Sequence, residues 1–377
     1  MIDLFGNRAE EAYTYRRVSW PGFAEGADLG NVTSGSVELS ALSDLKATCR
    51  FSFDGGTEPG TDDLIRIYYS FADDHGEAAE FCIGTFFVGY SDTAYRLDGD
   101  RLVANGTVSG WSVLKALQDI KLGYAYTVEA GEQAVARAIQ LIQGAGLPVS
   151  TASESSYELK SDHTFKPTDT LLTVVNWLCT AAGYQAPYPD AYGTVQITRY
   201  VDPSERATVA TFEDDESSIM YPDLSVENDW QEIPNVYKLY YDADDLAMHA
   251  EARNVSGSKA SLDARGGREL SQADSVTELP GETATEMLAN LEGMAAARLL
   301  DNSQEIERVE LSHPYIPLVA NDAVSIRYAD RSWSGNVQNM RIDLSPATQC
   351  DTTIRRFVPA SIAVETSGAI DYEGGAQ

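Results

Sequence analysis

Histidine, cysteine and lysine are scarce in this 377-residue chain, and each shortage closes off a class of function. The four histidines, His75, His163, His249 and His313, share no helix-spaced pair and no HExxH, so they do not read as a zinc site. The four cysteines, Cys49, Cys82, Cys179 and Cys350, are far apart and form no CxxC pair. They read as small core residues of a reduced compartment, with neither a disulfide frame nor a metal site. Lysine occurs seven times against 20 arginines, and these 27 basic residues face 58 acidic ones for a formal charge of −31. Such a surface repels nucleic acid and anionic membrane. There is no GxSxG elbow, no phosphate-cradling GxxxxGK[ST], and no GxGxxG after a strand. No uncharged apolar run approaches the roughly 20 residues that cross a bilayer. The opening MIDLFGNRAEEAYTYRR lacks the basic start and apolar run of a signal peptide. The expectation is a soluble protein with no membrane span, and with no catalytic residue, cofactor or metal.

A hydrophobic content of 43% with 20 Tyr and 11 Phe is that of a globular chain. Its length implies about two to four domains. Acidity is uneven: Glu205–Glu251 holds 13 carboxylates against Arg206 and Lys238. The run FEDDES, Phe212–Ser217, puts Glu213 and Asp214 where a carboxylate pair for glycoside hydrolysis is imaginable. In a chain so rich in carboxylates, close pairs arise by chance, and this one is expected in a polar loop. Clustered oxygens at Thr61-Asp62-Asp63 and Asp242–Asp245 suit calcium in kind, but neither has the EF-hand spacing. Nothing here requires an enzyme.

The first third is β. In KATCRFSF, Lys46–Phe53, the residues Ala47, Cys49, Phe51 and Phe53 alternate with polar ones, the period of a half-buried strand. LIRIYYSF, Leu64–Phe71, sets Ile65, Ile67, Tyr69 and Phe71 on one face, and EFCIGTFFVGY, Glu80–Tyr90, carries Gly84 as a candidate bulge. Asp98-Gly99 is a hairpin signal. A short helical stretch, Trp111–Ile120, and an amphipathic one, Glu132–Gln143, follow, with Gly144 as a C-cap. Further on, NVYKLYY at Asn235–Tyr241 is a strand, and the polar Arg253–Pro280 is a long loop. Thr283–Leu300 is the clearest helix, opened by the capping box Thr283-Ala284-Thr285-Glu286 and striped by Ala284, Leu288, Leu291, Ala295 and Leu299. Strands are expected again at Arg308–Leu311, Ala323–Tyr328 and Arg341–Leu344, before a frayed tail.

One cassette stands out. DTLLTVVNWLCTAAGYQAPYPDAYGTVQITRY, Asp169–Tyr200, is an apolar helix (Leu171, Val174, Val175, Leu178, Ala182) capped by Thr168 or Asp169 and ended by Gly183. It turns through Pro187 and Pro189 and leaves as a strand through Val195 and Ile197. Tyr184, Tyr188 and Tyr192 punctuate the turn, as a sugar-stacking platform, as packing of the turn or, the reading favoured here, as a protein interface.

The ordered series WSVLKAL, LIQGAGLP (Leu141–Pro148), the cassette, IPNVYKLYY (Ile233–Tyr241), AAARLL (Ala295–Leu300) and HPYIPLVANDAVSIRY (His313–Tyr328, with its Asn321-Asp322 turn) resembles the baseplate hub, or minor tail protein, of long-tailed phages. That family includes contractile-tail hubs and the base of type VI secretion spikes. The resemblance spans about residues 30 to 360. It implies a mainly β fold with α+β insertions: two antiparallel, tail-tube-like β-barrel domains, a mixed α/β domain and a loop–helix insertion. The corresponding division is residues 1–110 for the first barrel, 111–205 for the mixed domain, 206–250 with 305–360 for a split second barrel, 251–304 for the insertion and 361–377 for a flexible tail. It further implies a structural virion protein at the tail tip, made in the host cytoplasm and acting as a homotrimer. Such a ring adapts a hexameric tube to a three-fold tip and lets DNA pass without stable nucleic-acid binding. The implied partners are copies of itself, a tail tube or distal tail protein, a tape measure protein, and fibre or tip proteins. The chain is expected to end about where the second barrel does, leaving no room for a cell-wall hydrolase.

Two other classes stay open at the level of sequence. A carbohydrate-binding receptor module would use the tyrosine turn and the Asp-rich loops. A polysaccharide depolymerase would use Glu213 or Asp214.

Overall fold

The protein is seen in a computed structural model that describes residues 8–55, 60, 63–73, 78–151, 155–202, 205–215, 220–228, 230–243, 246–276, 279–281, 283–303, 305–345, 347–358 and 362–373. His75, Thr61, Asp62, Asp244 and Asp245 lie outside the described residues. Alternating sequence builds the first third: β1 (Arg8–Val18), β2 (Glu25–Asp28), β3 (Val32–Ser40), β4 (Ala47–Asp54), β5 (Leu64–Asp73), β6 (Ala78–Asp98) and β7 (Arg101–Ser112). A mixed stretch follows with α1 (Lys115–Asp119), β8 (Tyr126–Val128), α2 (Ala134–Gly144), β9 (Val149–Thr151), β10 (His163–Phe165), α3 (Leu171–Ala181), β11 (Tyr188–Pro189) and β12 (Val195–Ile197). After it come β13 (Thr208–Glu213), β14 (Leu224–Asn228), β15 (Val236–Ala243), β16 (Leu246–Ser256), β17 (Ser271–Val276) and α4 (Ala284–Asn302). The last strands are β18 (Glu305–His313), β19 (Ala323–Tyr328), β20 (Arg331–Asp343), β21 (Cys350–Val358) and β22 (Ala363–Glu373). The fold is mainly β, as expected.

Two compact units divide the chain, Met1–Leu224 with Glu310–Ile354, and Ser225–Val309 with Arg355–Gln377. In the first, strands run in the order β20-β3-β4-β7-β6-β5-β1-β2, with β19 on β20 and β13 parallel to β19. Pairing of β3 with β20 joins strands of both expected barrels in one sheet, and no sheet closes on itself among the described pairings. Cys49, Phe51 and Phe53 of β4 turn inward as the alternation requires. β5 goes further: Leu64, Ile65, Arg66, Ile67, Tyr68 and Tyr69 are all buried, so both of its faces are covered. At the expected bulge the β5–β6 register slips between Gly84 and Cys82. The β6–β7 hairpin turns through Gly99 and Asp100, one residue beyond the Asp98-Gly99 expected, because Asp98 still pairs with Arg101 and Gly99 takes a φ of +61°.

The mixed stretch has its own core. Val135, Ala138 and Ile142 of α2 meet Val174, Val175 and Leu178 of α3, together with Leu64, Leu114, Val195 and Ile197. β12 runs parallel to β9 and antiparallel to β11. The cap of α3 is Thr170, whose hydroxyl accepts from the Thr173 N–H, in place of Thr168 or Asp169; Asp169 instead accepts from the Lys166 N–H at 2.8 Å. After α2 the left-handed residue is Gly146, two beyond the Gly144 expected, because the helix runs on through Gly144 itself.

The second unit is a sheet of order β17-β15-β16-β22 with α4 on one face. Tyr237, Leu239, Met248, Ala250 and Ala252 bury Leu291, Ala295 and Leu299 of the expected stripe, and the Thr283 hydroxyl caps the Glu286 N–H. Two expectations need correction here. The stretch 253–280 is not all loop, since β16 runs to Ser256 and Ser271–Val276 pairs in parallel with β15. Residues 363–373, expected in the tail, form β22 against β16, and Val364 packs into the core.

Candidate functional site

Polar side chains hold the cassette turn against the first unit's sheet. Asp190 folds the turn on itself, accepting from the Tyr192 and Thr194 N–H groups at 3.0 and 2.9 Å and from Gln196 Nε2 at 3.0 Å. Arg66 of β5, only 5% exposed, then pins it to the sheet. Its Nε donates to Thr85 Oγ1 at 2.9 Å, one Nη donates to the Tyr192 carbonyl at 2.8 Å, and the other donates to Glu25. The Tyr192 ring lies 5.1 Å from the same guanidinium. Thr85 donates onward to the Ala191 carbonyl at 2.8 Å, and the Cys82 thiol approaches that carbonyl at 3.3 Å. Hydrogen bonds from Tyr68, then Arg66, hold the Glu25 carboxyl below the ordinary carboxylate value. Burial pushes the Tyr68 hydroxyl up to about 12.

Beside this pin lies a cleft of about 780 Å³ in the first unit. It brings together Tyr184 and Tyr188 of the cassette, Lys46 and Phe86 of the first third, and the Asn321-Asp322 turn. Asn321 stands at a φ of +74°, its carbonyl accepting from Arg206 at 2.9 Å and Asn336 at 3.1 Å. Asp322 accepts from the Val319 N–H at 2.8 Å, and burial raises its carboxyl pKa. Lys46 donates to the Ala41 carbonyl at 2.9 Å, and burial lowers its ammonium pKa.

The three tyrosines do not make one platform. Tyr184 is 3% exposed and belongs to the mixed core at the floor of the cleft, Tyr188 lines the cleft with it, and Tyr192 lies over Arg66 outside the cleft lining. The turn thus makes its contacts within the chain. Glu213 and Asp214 are not a facing pair: Glu213 pairs with Arg327, while Asp214 accepts from the Ala329 N–H at 2.8 Å to close a turn. Asp63 pairs with Arg17 at 3.0 Å. No group of three or more metal-ligating side chains converges among the described residues. His163 stacks on Trp177 at 4.2 Å, His249 bonds Asp371 at 2.8 Å, and buried His313 bonds Thr352 at 2.8 Å and the Pro314 carbonyl at 2.7 Å. All four cysteines are free thiols, with Cys82 and Cys179 pushed by burial up to about 12. Sequence reasoning missed Arg66 and Glu25. An arginine inside the apolar run LIRIYYSF was the available signal, while Glu25 carried none.

Compared with known proteins, the fold matches over most of the chain. A tail protein from Neisseria meningitidis aligns with a TM-score of 0.59 at 12% identity, over 92% of this chain and 97% of that one. The 43 kDa tail protein of prophage MuSo2 from Shewanella oneidensis gives 0.58 at 13% identity, over 92% and 98%. The fold is that of phage tail proteins. A Francisella PdpA–VgrG complex has a chain with a TM-score of 0.56 at 8% identity, matching 94% of this chain and 53% of that one. No family model and no curated protein matches the sequence. Among the described residues no helix is long and apolar enough to cross a membrane.

Proposed function

We propose that this chain is a structural component of a phage-type tail, and that three copies form a tail-tip hub. The observation that carries the reading is the reciprocal coverage, 92% of this chain on 97% and 98% of two tail proteins, which leaves little of either partner unmatched. In the assembled ring the open sheets would complete two barrel-like walls per chain, giving a six-fold face to a tail tube or distal tail protein and a three-fold face to the tip. A tape measure protein and fibre or tip proteins are the further partners of this reading, and the virion tail tip is its location. The protein would act by assembly, without catalysis.

Charge supports a conduit. A bore that passes DNA without gripping its phosphates needs a neutral or acidic wall, and a chain of charge −31 can supply one. Light scattering at moderate salt, where repulsion between copies is screened, tests the assembly. Three chains of 41.0 kDa give about 123 kDa, and negative-stain images should then show a ring with a bore. A mass of one chain at every concentration overturns the trimeric hub.

A further inference from the structure

The cleft of the first unit is charge-balanced, with three cations and three carboxylates in its lining, although the chain as a whole holds 58 acidic and 27 basic residues. Four of the six are already engaged. Lys46 donates to the Ala41 carbonyl, Arg206 donates to the Val201 and Asn321 carbonyls at 3.2 and 2.9 Å, and Asp190 and Asp322 accept from backbone N–H groups. Arg199 and Glu205 are left, one of each sign, both exposed and neither with a side-chain hydrogen bond or ion pair among the described residues. The Arg199 guanidinium lies 5.9 Å from the buried Tyr184 ring. Two more tyrosines share the lining. Tyr188 is half-buried and Tyr200 is 58% exposed, and neither hydroxyl has a hydrogen-bond partner among the described residues. Main-chain bonds fix this wall, from the Gln185 N–H to the Thr198 carbonyl and from the Tyr200 N–H to the Gly183 carbonyl, both at 3.1 Å. Its aromatic and polar groups are thus held in place before any ligand arrives.

We propose that this cleft binds a neutral oligosaccharide. Its volume of about 780 Å³ falls in the range of about 300–1,000 Å³ usual for small-ligand sites. An anion would meet a like charge at Glu205, and a cation would meet one at Arg199. A purely apolar ligand would strip water from both and from two phenols without replacing the hydrogen bonds. A small zwitterion would answer the two charges and leave the tyrosine rings bare. A sugar meets every group: its C–H face covers a tyrosine ring, while its hydroxyls donate to Glu205 and accept from Arg199. An added peptide strand fits less well, because Pro189 in the edge strand β11 has no N–H to pair with it. The site goes beyond the hub reading and does not depend on it.

The test titrates the full chain with maltotriose, cellotriose, mannotriose and the trimer of N-acetylglucosamine, read by calorimetry and saturation-transfer NMR. Trigalacturonate and a neutral Gly/Ser peptide are titrated beside them. At least one neutral trisaccharide should bind, and about tenfold or more tighter than either control. Tyr200→Ala and Arg199→Ala should each weaken it about tenfold, and Tyr200→Trp, which restores an aromatic face, should recover most of that loss. Both positions are exposed, so the urea midpoint of each variant should match that of the parent. Binding of none of the neutral trisaccharides, tighter binding of trigalacturonate or the peptide, or binding that both alanine variants leave unchanged overturns the site. The scattering mass is read separately, so the hub reading stands or falls apart from this result.

Discussion

The two ends of the β6–β7 ribbon belong to the same pair of strands, yet they differ in surroundings. At the near end Phe86 and Val88 are buried where β6 lies between β5 and β7, whereas at the far end Leu97 and Leu102 face solvent. The contrast teaches that a strand's apolar alternation announces a face to be covered without saying by what. Where the same chain covers it, the face is core. Where nothing in the chain reaches it, the face is a candidate contact.

Truncation should separate the ends most sharply. Phe86→Ala removes a ring 1% exposed and should cost about 3–5 kcal/mol in urea unfolding followed by fluorescence. Leu97→Ala in the monomer should stay within about 0.5 kcal/mol. Equal costs would end the distinction between core and contact face.

A second break point is the pin beside the near end. Arg66→Ala strips partners from Glu25, Thr85 and the Tyr192 carbonyl together. Since Glu25 keeps partial solvent contact, the expected loss is about 2–3 kcal/mol, with faster hydrogen exchange at the Tyr192 and Thr194 amides. The pin also sets an acid limit. Because the folded-state pKa of Glu25 lies below the ordinary value, its contribution is complete above that value and is lost as pH falls through the depressed one. Glu25→Gln should therefore flatten the acid limb of stability against pH. An unchanged limb would mean that the network holds the turn without help from charge.

Much of this was legible in advance, for definable reasons. Lys46–Phe53 alternates cleanly, and the Thr283 cap and the Leu291–Leu299 stripe of α4 are local signals, so each predicted itself. The ordered motifs gave the tail-protein resemblance that the fold comparison supports. What escaped was set by distant partners: β22 is polar and becomes a strand through β16, and β17 is almost wholly exposed and becomes one through its pairing with β15. Tyr184, Tyr188 and Tyr192 are evenly spaced, but their environments diverge: the first is buried in a core beneath the cleft, the second is half-buried in the cleft wall, and the third lies against the Arg66 guanidinium.

Glycine gives the finest probe of the two ends. A Cβ on Gly84 would stand 2.6 Å from the Phe86 ring, which is too enclosed to move aside, so Gly84→Ala should cost about 1–3 kcal/mol. Gly99 at the far turn meets nothing within 4 Å, and its only constraint is the φ of +61°. Gly99→Ala should therefore cost about 1 kcal/mol or less, through backbone strain alone. Asn at position 99 tolerates that φ and should recover most of the loss. A cost at Gly99 equal to that at Gly84 would mean that the far turn is as closely packed as the near end.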